Sequence, residues 1–363
     1  MEIVKLKDLA KDAFKEIYQY QQGNKRVVKT GRPYLDDVFP VVNGSVITVS
    51  AGSGVGKSYE LATIIENILN VEINPDAAKY VVLNISLEMK ILSIVLRGLN
   101  KHVTKAKKRI LLEEFTEEEK VLAKKYYDVL QDDRQYISQV PTSPSKFLEG
   151  CRTFLDEHKD KESVIIAADH IALFGSDKGQ GKQQVIEDLI EKINNLKMEY
   201  PNVIFILLSQ TNSEMMKRLK EKDVMSQPQP LDLYYSAFTF QVSDYVVVIV
   251  NPYKLGINEY SKLNAARYEH LTKYFTEPDN KGRVSLDTLG VLYYHLLKCR
   301  EADSIYKDIF AEDLNIPDIE KLRQVTIPTA VASAPVFNMT TVMHNTSAMQ
   351  SAQGKGFDDE APF

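Results

Sequence analysis

A glycine-rich loop set between a buried strand and an amphipathic helix constrains this chain more than anything else in it. The loop runs Ala51-Gly52-Ser53-Gly54-Val55-Gly56-Lys57-Ser58. Residues 45–50 before it read as a buried strand. After it, Leu61, Ile64, Ile65, Ile68 and Leu69 fall at i, i+3, i+4, i+7 and i+8, the stripe of a helix packed on one side. A strand that turns into a helix through glycines can aim successive backbone N–H groups at one anion, and the helix N-terminus adds partial positive charge. Lys57 then reaches the β- and γ-phosphates, Ser58 can hold Mg²⁺, and Ala51 through Tyr59 form the nucleotide cradle. Ala51 stands where glycine is more usual and is small enough for the turn. The reading is an NTP site.

Other classes are excluded more cheaply. No apolar run approaches the ~20 residues of a membrane span, and the N-terminus lacks the pattern of a signal peptide. Two distant cysteines, Cys151 and Cys299, fit a reducing compartment and no zinc site. The net charge of −5 carries no global nucleic-acid signature, so any such binding must come from local basic loops.

Further apolar runs follow at residues 80–86, 163–169, 203–208, 245–250 and 291–297, nearly all without polar alternation and separated by helical patterns. That predicts an α/β fold with a parallel sheet covered on both faces. Ligands of such sheets bind at the carboxyl ends of the strands. Glu88, Asp169 and Gln210 each follow a strand end on the edge that carries the phosphate loop.

Asp169 fits a Walker B acid that orients the Mg²⁺ water shell, or a turn residue. Glu88 fits a general base on water, or a helix N-terminal glutamate. Gln210 fits a nucleotide sensor, or a buried amide serving the backbone. Lys298 and Arg300 leave the last strong strand together; they either reach solvent or, in a ring, meet a neighbouring subunit's γ-phosphate.

Outside the sheet, residues 5–20 form an amphipathic helix (Leu6, Leu9, Phe14, Ile17, Tyr18) that either docks elsewhere or caps the domain. Residues 101–135 are a charged helical excursion, its basic start a solvated face. Ser143 or Ser145 caps the helix carrying Phe147 and Cys151. From about residue 325 the chain lacks periodicity and is expected to be disordered.

Assembled, these residues resemble the RecA-type motor domain of DnaB-family replicative helicases, the phage-encoded members included, over residues 28–305. Thr30-Gly31 with Leu35-Asp36, the Walker A loop, Ser86-Leu87-Glu88-Met89 with Arg97 beyond it, Asp169, Leu196-Lys197, Ser209-Gln210-Thr211-Asn212, Gln241 with Asp244, and Lys298 with Arg300 occur in the family's order. The resemblance implies a P-loop ATPase using ATP and Mg²⁺, with Glu88 as catalytic base and Lys57, Asp169, Gln210, Lys298 and Arg300 completing the machinery. It further implies a homo-oligomeric ring of six, working in the cytoplasm of an infected bacterial host. Single-stranded DNA would pass loops 175–183 and 213–222, with Lys178, Lys182, Lys217, Arg218, Lys220 and Lys222 on its phosphates.

The expected division is a linker helix over 1–27, the RecA-like domain over 28–323 and an acidic-tipped tail over 324–363. The family's N-terminal helical domain is expected to be missing, with no primase domain fused. Residues 357–363 resemble the acidic tips of bacterial single-strand-binding proteins, which implies a primase, polymerase or other replisome partner, or else a solvated end. Ser213, Tyr234-Tyr235 and a long insertion over 251–287 depart from the family pattern. An ATP-dependent recombinase that forms filaments shares the sheet, the Walker A loop and the cation pair, and stands as the alternative; an ATP-gated loader is a weaker one.

Overall fold

Strands that are apolar on both sides must be covered on both sides, and the computed structural model of the chain has that arrangement. It describes residues 5–38, 40–221, 227–233, 236–257, 259–263, 284–287, 291–300 and 309–313. In chain order the strands are β1 (Val46–Ala51), β2 (Tyr80–Ser86), β3 (Gln135–Ser138), β4 (Ser163–Asp169), β5 (Val203–Gln210), β6 (Tyr245–Val250), β7 (Glu259–Leu263), β8 (Val284–Asp287), β9 (Val291–Cys299) and β10 (Ile309–Asp313). The helices are α1 (Leu6–Gln21), α2 (Pro33–Asp36), α3 (Lys57–Leu69), α4 (Ile91–Val103), α5 (Lys107–Leu112), α6 (Glu117–Leu130), α7 (Pro144–Glu157), α8 (Lys182–Glu199), α9 (Ser213–Glu221) and α10 (Ser236–Val242).

Eight strands make one sheet in the order β10-β9-β6-β1-β5-β4-β2-β3, and β7 pairs with β8 apart from it. From β6 to β3 every pairing is parallel. One face packs on α3, where Leu61, Ile64 and Ile68 meet Ile47, Val49, Ile206 and Val247. The other packs on α7 and α8, where Phe147, Phe154, Leu189 and Ile193 meet Val164, Ile166 and Phe205. Burying each such side chain is worth about 1.5–3 kcal/mol, so the helical stripes read from the sequence are what fix the layers.

The segment before β1 is a short capped turn. Asp36 accepts from the Thr30 N–H and hydroxyl, both at 2.8 Å, and from the Gly31 N–H at 2.7 Å. Gly31 has φ +66°, and a Cβ there would lie 2.4 Å from Asn67 Nδ2 on α3. Only glycine fits that approach.

Four features differ from the sequence reading. β9 runs antiparallel to β6, because burial on both faces says nothing about strand direction, and it extends to Cys299 so that Lys298 lies inside it. β3 is a four-residue, half-exposed edge strand with too little pattern to read. Residues 213–221 are helix α9, not a loop: Met215 and Leu219 bury one face and Asn212 Oδ1 caps the Met215 N–H at 2.9 Å. The first turn of α7 is held by Asp177, whose Oδ2 accepts from the Ser145 N–H at 2.9 Å.

Helix α1 forms as expected, but its apolar stripe faces outward. Leu6 is 79% and Phe14 73% exposed, and Leu9, Ile17 and Tyr18 are exposed too, which leaves no cap on this domain among the described residues. The tail, Lys222, the pair Tyr234-Tyr235 and most of the 251–287 insertion lie outside the described residues.

Candidate nucleotide site

The phosphate loop leaves β1 at the sheet centre, where Ala51 lies between Gln210 of β5 and Ile249 of β6. Gly54 and Gly56 have φ of +72° and +129°, which turns the backbone into a cradle closed by α3. Lys57 folds back over it, its Nζ donating to Ala51 O at 3.0 Å and Gly52 O at 3.4 Å. Burial pushes the Lys57 ammonium down, while Asp169 and Glu88 oppose that shift. Both carboxylates therefore face the lysine across one site.

Register brings them there. Ser86 pairs with Asp169 at the ends of β2 and β4, and the Leu87 N–H donates to Asp169 O at 2.7 Å. Glu88 then stands exposed on the bend before α4, three residues ahead of the helix rather than in its first turn. The Met89 carbonyl of that bend accepts from Gln139 Nε2 at 2.5 Å and Ser86 Oγ at 3.4 Å. A residue held by its backbone, whose carboxylate makes no hydrogen bond among the described residues, can take a proton from water.

Asp169 is buried and lines the same cavity as Ser58. Burial pushes its carboxyl up, with Glu88 adding to the push and Ser58, Lys57 and Arg97 pulling down. Its Oδ1 is buried without a hydrogen-bond partner. Two hard oxygen donors lining one cavity, one of them unsatisfied, fit a magnesium ion.

His170 and Lys254 were not found by sequence reasoning. The His170 ring accepts from the Ala172 N–H at 3.2 Å and is lowered in basicity, chiefly by burial and then by Lys57, with Gln210 opposing the shift. Gln210 of β5 thus acts on the residue after Asp169; adjacency to Asp169 was the signal available. Lys254, on the turn after β6, donates to Gly54 O of the phosphate loop, and nothing in its local sequence marked it.

Lys298 and Arg300 sit elsewhere. β9 carries them to the start of β6, where Lys298 pairs with Val246, at the sheet edge opposite the phosphate loop. Lys298 Nζ donates to Phe240 O at 2.7 Å and Gln241 O at 2.8 Å, and Arg300 Nη2 to Gln241 O at 2.9 Å. The two cations therefore satisfy the carbonyl end of α10. Burial lowers the Lys298 ammonium, and Arg300 adds to this. Asp244 ties the edge together, taking Arg300 Nη1 at 2.9 Å, Lys197 Nζ at 2.9 Å and the Val46 N–H at 2.8 Å. Three motif fragments far apart in sequence meet in this one network.

The basic residues assigned to DNA divide. Lys178 is exposed on a compact turn in which Ser176 Oγ takes the N–H groups of Lys178 and Gln180. Lys182 Nζ donates to Phe174 O at 2.8 Å. Lys217 is exposed on α9 beside Glu214. Arg218 departs from the expectation: its guanidinium is committed to Asp232, which is 3% exposed, and to Gln227 O, so it pins the following loop rather than facing a phosphate. Lys220 lies on the last turns of α9.

Comparisons with known proteins bear on the whole arrangement. A profile for the DnaB-like helicase C terminal domain matches residues 27–273. The solved ATPase domain of G40P aligns at TM-score 0.62 and 14% identity, over 85% of this chain and 95% of that one. A DnaB-like replicative helicase, solved in a study of its interactions with primase, aligns at TM-score 0.59 and 13% identity, over 85% of this chain and 64% of that one. A search of curated proteins finds no match. The structural likenesses show a shared RecA-like fold, and the profile, which covers more than half of the sequence, shows that the chain belongs to the DnaB-like helicase C-terminal domain family.

Proposed function

We propose that the chain is the ATP-driven motor of a replicative DNA helicase, working as a ring of six identical subunits that draws single-stranded DNA through its centre. Each ATP is held between one subunit's phosphate loop and the next subunit's Lys298 and Arg300. The observation that carries this reading is the separation of the two halves of the site. Ala51 and Val46 end the same strand, and about 3.3 Å per residue puts the phosphate loop roughly 17 Å from the edge where the cations lie. Arg300 is 46% exposed there, beyond reach of its own triphosphate and open to another.

Within one subunit the loop N–H groups and Lys57 bind the phosphates, and Glu88 takes a proton from the attacking water. Ser58 and Asp169 would hold Mg²⁺, which supplies charge neutralisation on the β- and γ-oxygens. Gln210, near His170 at the end of β5, senses the γ-phosphate. The neighbour's Lys298 and Arg300 neutralise the charge that develops on transfer. Lys178, Lys182, Lys217, Lys220 and Lys222 are the candidates for sequence-blind phosphate contact. The uncovered stripe of α1 supports residues 1–27 as a linker that docks on a second subunit, with 28–323 as the motor and 324–363 as a tail. Residues 357–363 would take a primase, polymerase or other replisome partner. No described helix is long and apolar enough to cross a membrane, and the setting we assign is the cytoplasm of a phage-infected bacterium.

The test mixes two inactive variants, Lys57→Ala and Arg300→Ala. A shared site makes roughly a quarter of the interfaces whole in a random ring, so ATPase and forked-duplex unwinding should return in part. No recovery, with both variants still assembling, refutes the shared site. Helical filaments in place of closed rings would turn the assignment to the recombinase alternative.

A further inference from the structure

Helices α3 and α4 and the end of β2 enclose a cavity of about 490 Å³, open mouth included, that begins at the proposed metal pair. Ser58 and Asp169 stand at one end, Asn84 and Ser86 on the floor, and Arg97 on the α4 side. At the far end Lys101 and Glu66 are paired with each other. Two oxygens among these residues are buried and without a hydrogen-bond partner: Asp169 Oδ1 and Asn84 Oδ1. Among the described residues Arg97 makes no hydrogen bond or ion pair either.

Position explains how they share the space. Asn84 pairs with Ala167 and Ser86 with Asp169 in the β2–β4 ladder, so Asn84 and Ser86 lie on one face of β2, about 6.7 Å apart. Asn84 is thus one strand period behind the residue beside Asp169. An amide oxygen in that position, among apolar strand residues, is costly unless a donor reaches it. Its protein neighbours supply none. A water molecule can supply it, and water bound to a divalent cation is a donor with few acceptors to choose from.

We propose that this cavity is the outer hydration site of the divalent cation, with Asn84 as the acceptor that orients cation-bound water and Arg97 closing the α4 side. The proposal rests on the reading of Ser58 and Asp169 as the metal-holding pair. Magnesium keeps several of its waters when protein bound, and the residues that hold those waters fix its affinity much as outer partners do at other metal sites. Asn84 is a positioning residue, because it touches the cation's water and no reacting atom.

The experiment is a Mg²⁺ titration of the full chain with a non-hydrolysable ATP analogue, read as thermal stabilisation and not as turnover. Asn84→Leu should raise the Mg²⁺ midpoint by up to about tenfold while analogue binding in chelator stays as in the wild type. Asn84→Asp, which keeps the acceptor, should restore the midpoint. An unchanged midpoint in Asn84→Leu overturns the proposal. Ser58→Ala and Asp169→Asn serve as the control for the underlying reading: if they leave the Mg²⁺ dependence intact, that reading fails instead. Should Asn84→Leu not fold, Mn²⁺ in the wild type with isotope-labelled water reads the ordered water directly. A cation without ordered water beyond its inner ligands would equally overturn it.

Discussion

Replacing Asp244 by alanine should cost the fold about 3 kcal/mol, and the size follows from what the carboxylate satisfies. It is 9% exposed and sits between three donors. Its Oδ2 takes the Val46 N–H at 2.8 Å and Lys197 Nζ at 2.9 Å, and its Oδ1 takes Arg300 Nη1 at 2.9 Å. Val46 is fully buried at the start of the central strand, so no water replaces the lost acceptor, and stranding that N–H costs about 1–3 kcal/mol. Lys197 is 19% exposed and loses a charge-assisted bond worth about 1.5–3 kcal/mol before partial hydration offsets some of it. Arg300 is 46% exposed, so its pair adds about 0–1 kcal/mol. The three overlap, because freed cations relax toward water together, and a simple sum overshoots. Asp244→Asn keeps one acceptor for Val46 but turns an amide N–H₂ toward a cation, which leaves a cost of about 1–2 kcal/mol. Urea unfolding of the full chain measures both. Equal midpoints for the alanine and asparagine variants would refute a separate contribution from the Val46 N–H. A wild-type midpoint for Asp244→Ala would refute the whole account.

Arg218→Ala should destabilise the protein by about 3–5 kcal/mol, since it leaves the buried Asp232 carboxylate without its bidentate partner. Lys217→Ala should change stability little; a loss of DNA-stimulated ATPase confined to Lys217→Ala, with Arg218→Ala failing first in thermal unfolding, separates the two roles. Acid should weaken the fold through His295, which burial lowers to about 3. Below the unfolded value near 6.5 the unfolded chain takes up a proton that the native ring refuses, so stability falls by about 1.4 kcal/mol per pH unit from pH 6 toward 4. His295→Gln should flatten that slope, and an unchanged slope in the unfolding midpoint would remove His295 as its cause.

The sequence was most legible where a residue's chemistry and its neighbours pointed the same way. The phosphate loop, β1 and α3 are one such unit: glycines, strand and helical stripe agree, and the structure joins Ala51 to Lys57 as read. Glu88, Asp169 and Gln210 share an edge because parallel register puts strand ends together. Direction was not legible. An apolar run such as 291–299 buries equally well either way, and only pairing with β6 makes it antiparallel. α9 had its signals, an Asn cap and Met215 with Leu219 four apart, but its lysines read as a loop. Contacts made across long separations left no local trace: Asp177 capping α7, Gln139 holding the Glu88 bend, Lys254 on Gly54.

The direction of β9 is also what gives the proposed composite site its logic. Near its start the Tyr294 hydroxyl donates to Glu60 Oε2 at 3.2 Å, in the first turn of the helix that grips phosphate. Glu60 is buried and also takes Arg32 Nη2 at 2.6 Å, so that end of β9 is fixed to the subunit's own nucleotide helix. Four residues later Lys298, and then Arg300, hold the end of α10 at the opposite edge. A parallel β9 would have carried both cations to the phosphate-loop edge, where a subunit could complete its site alone. Reversed, the strand spans the sheet with one end on α3 and the other at the edge that the proposed ring would present to a neighbour. On the proposed shared site, a shift of α3 on nucleotide binding would be felt by a strand whose far end carries the cations for the next site, so that a subunit would neither turn over alone nor stay indifferent to its neighbour's state.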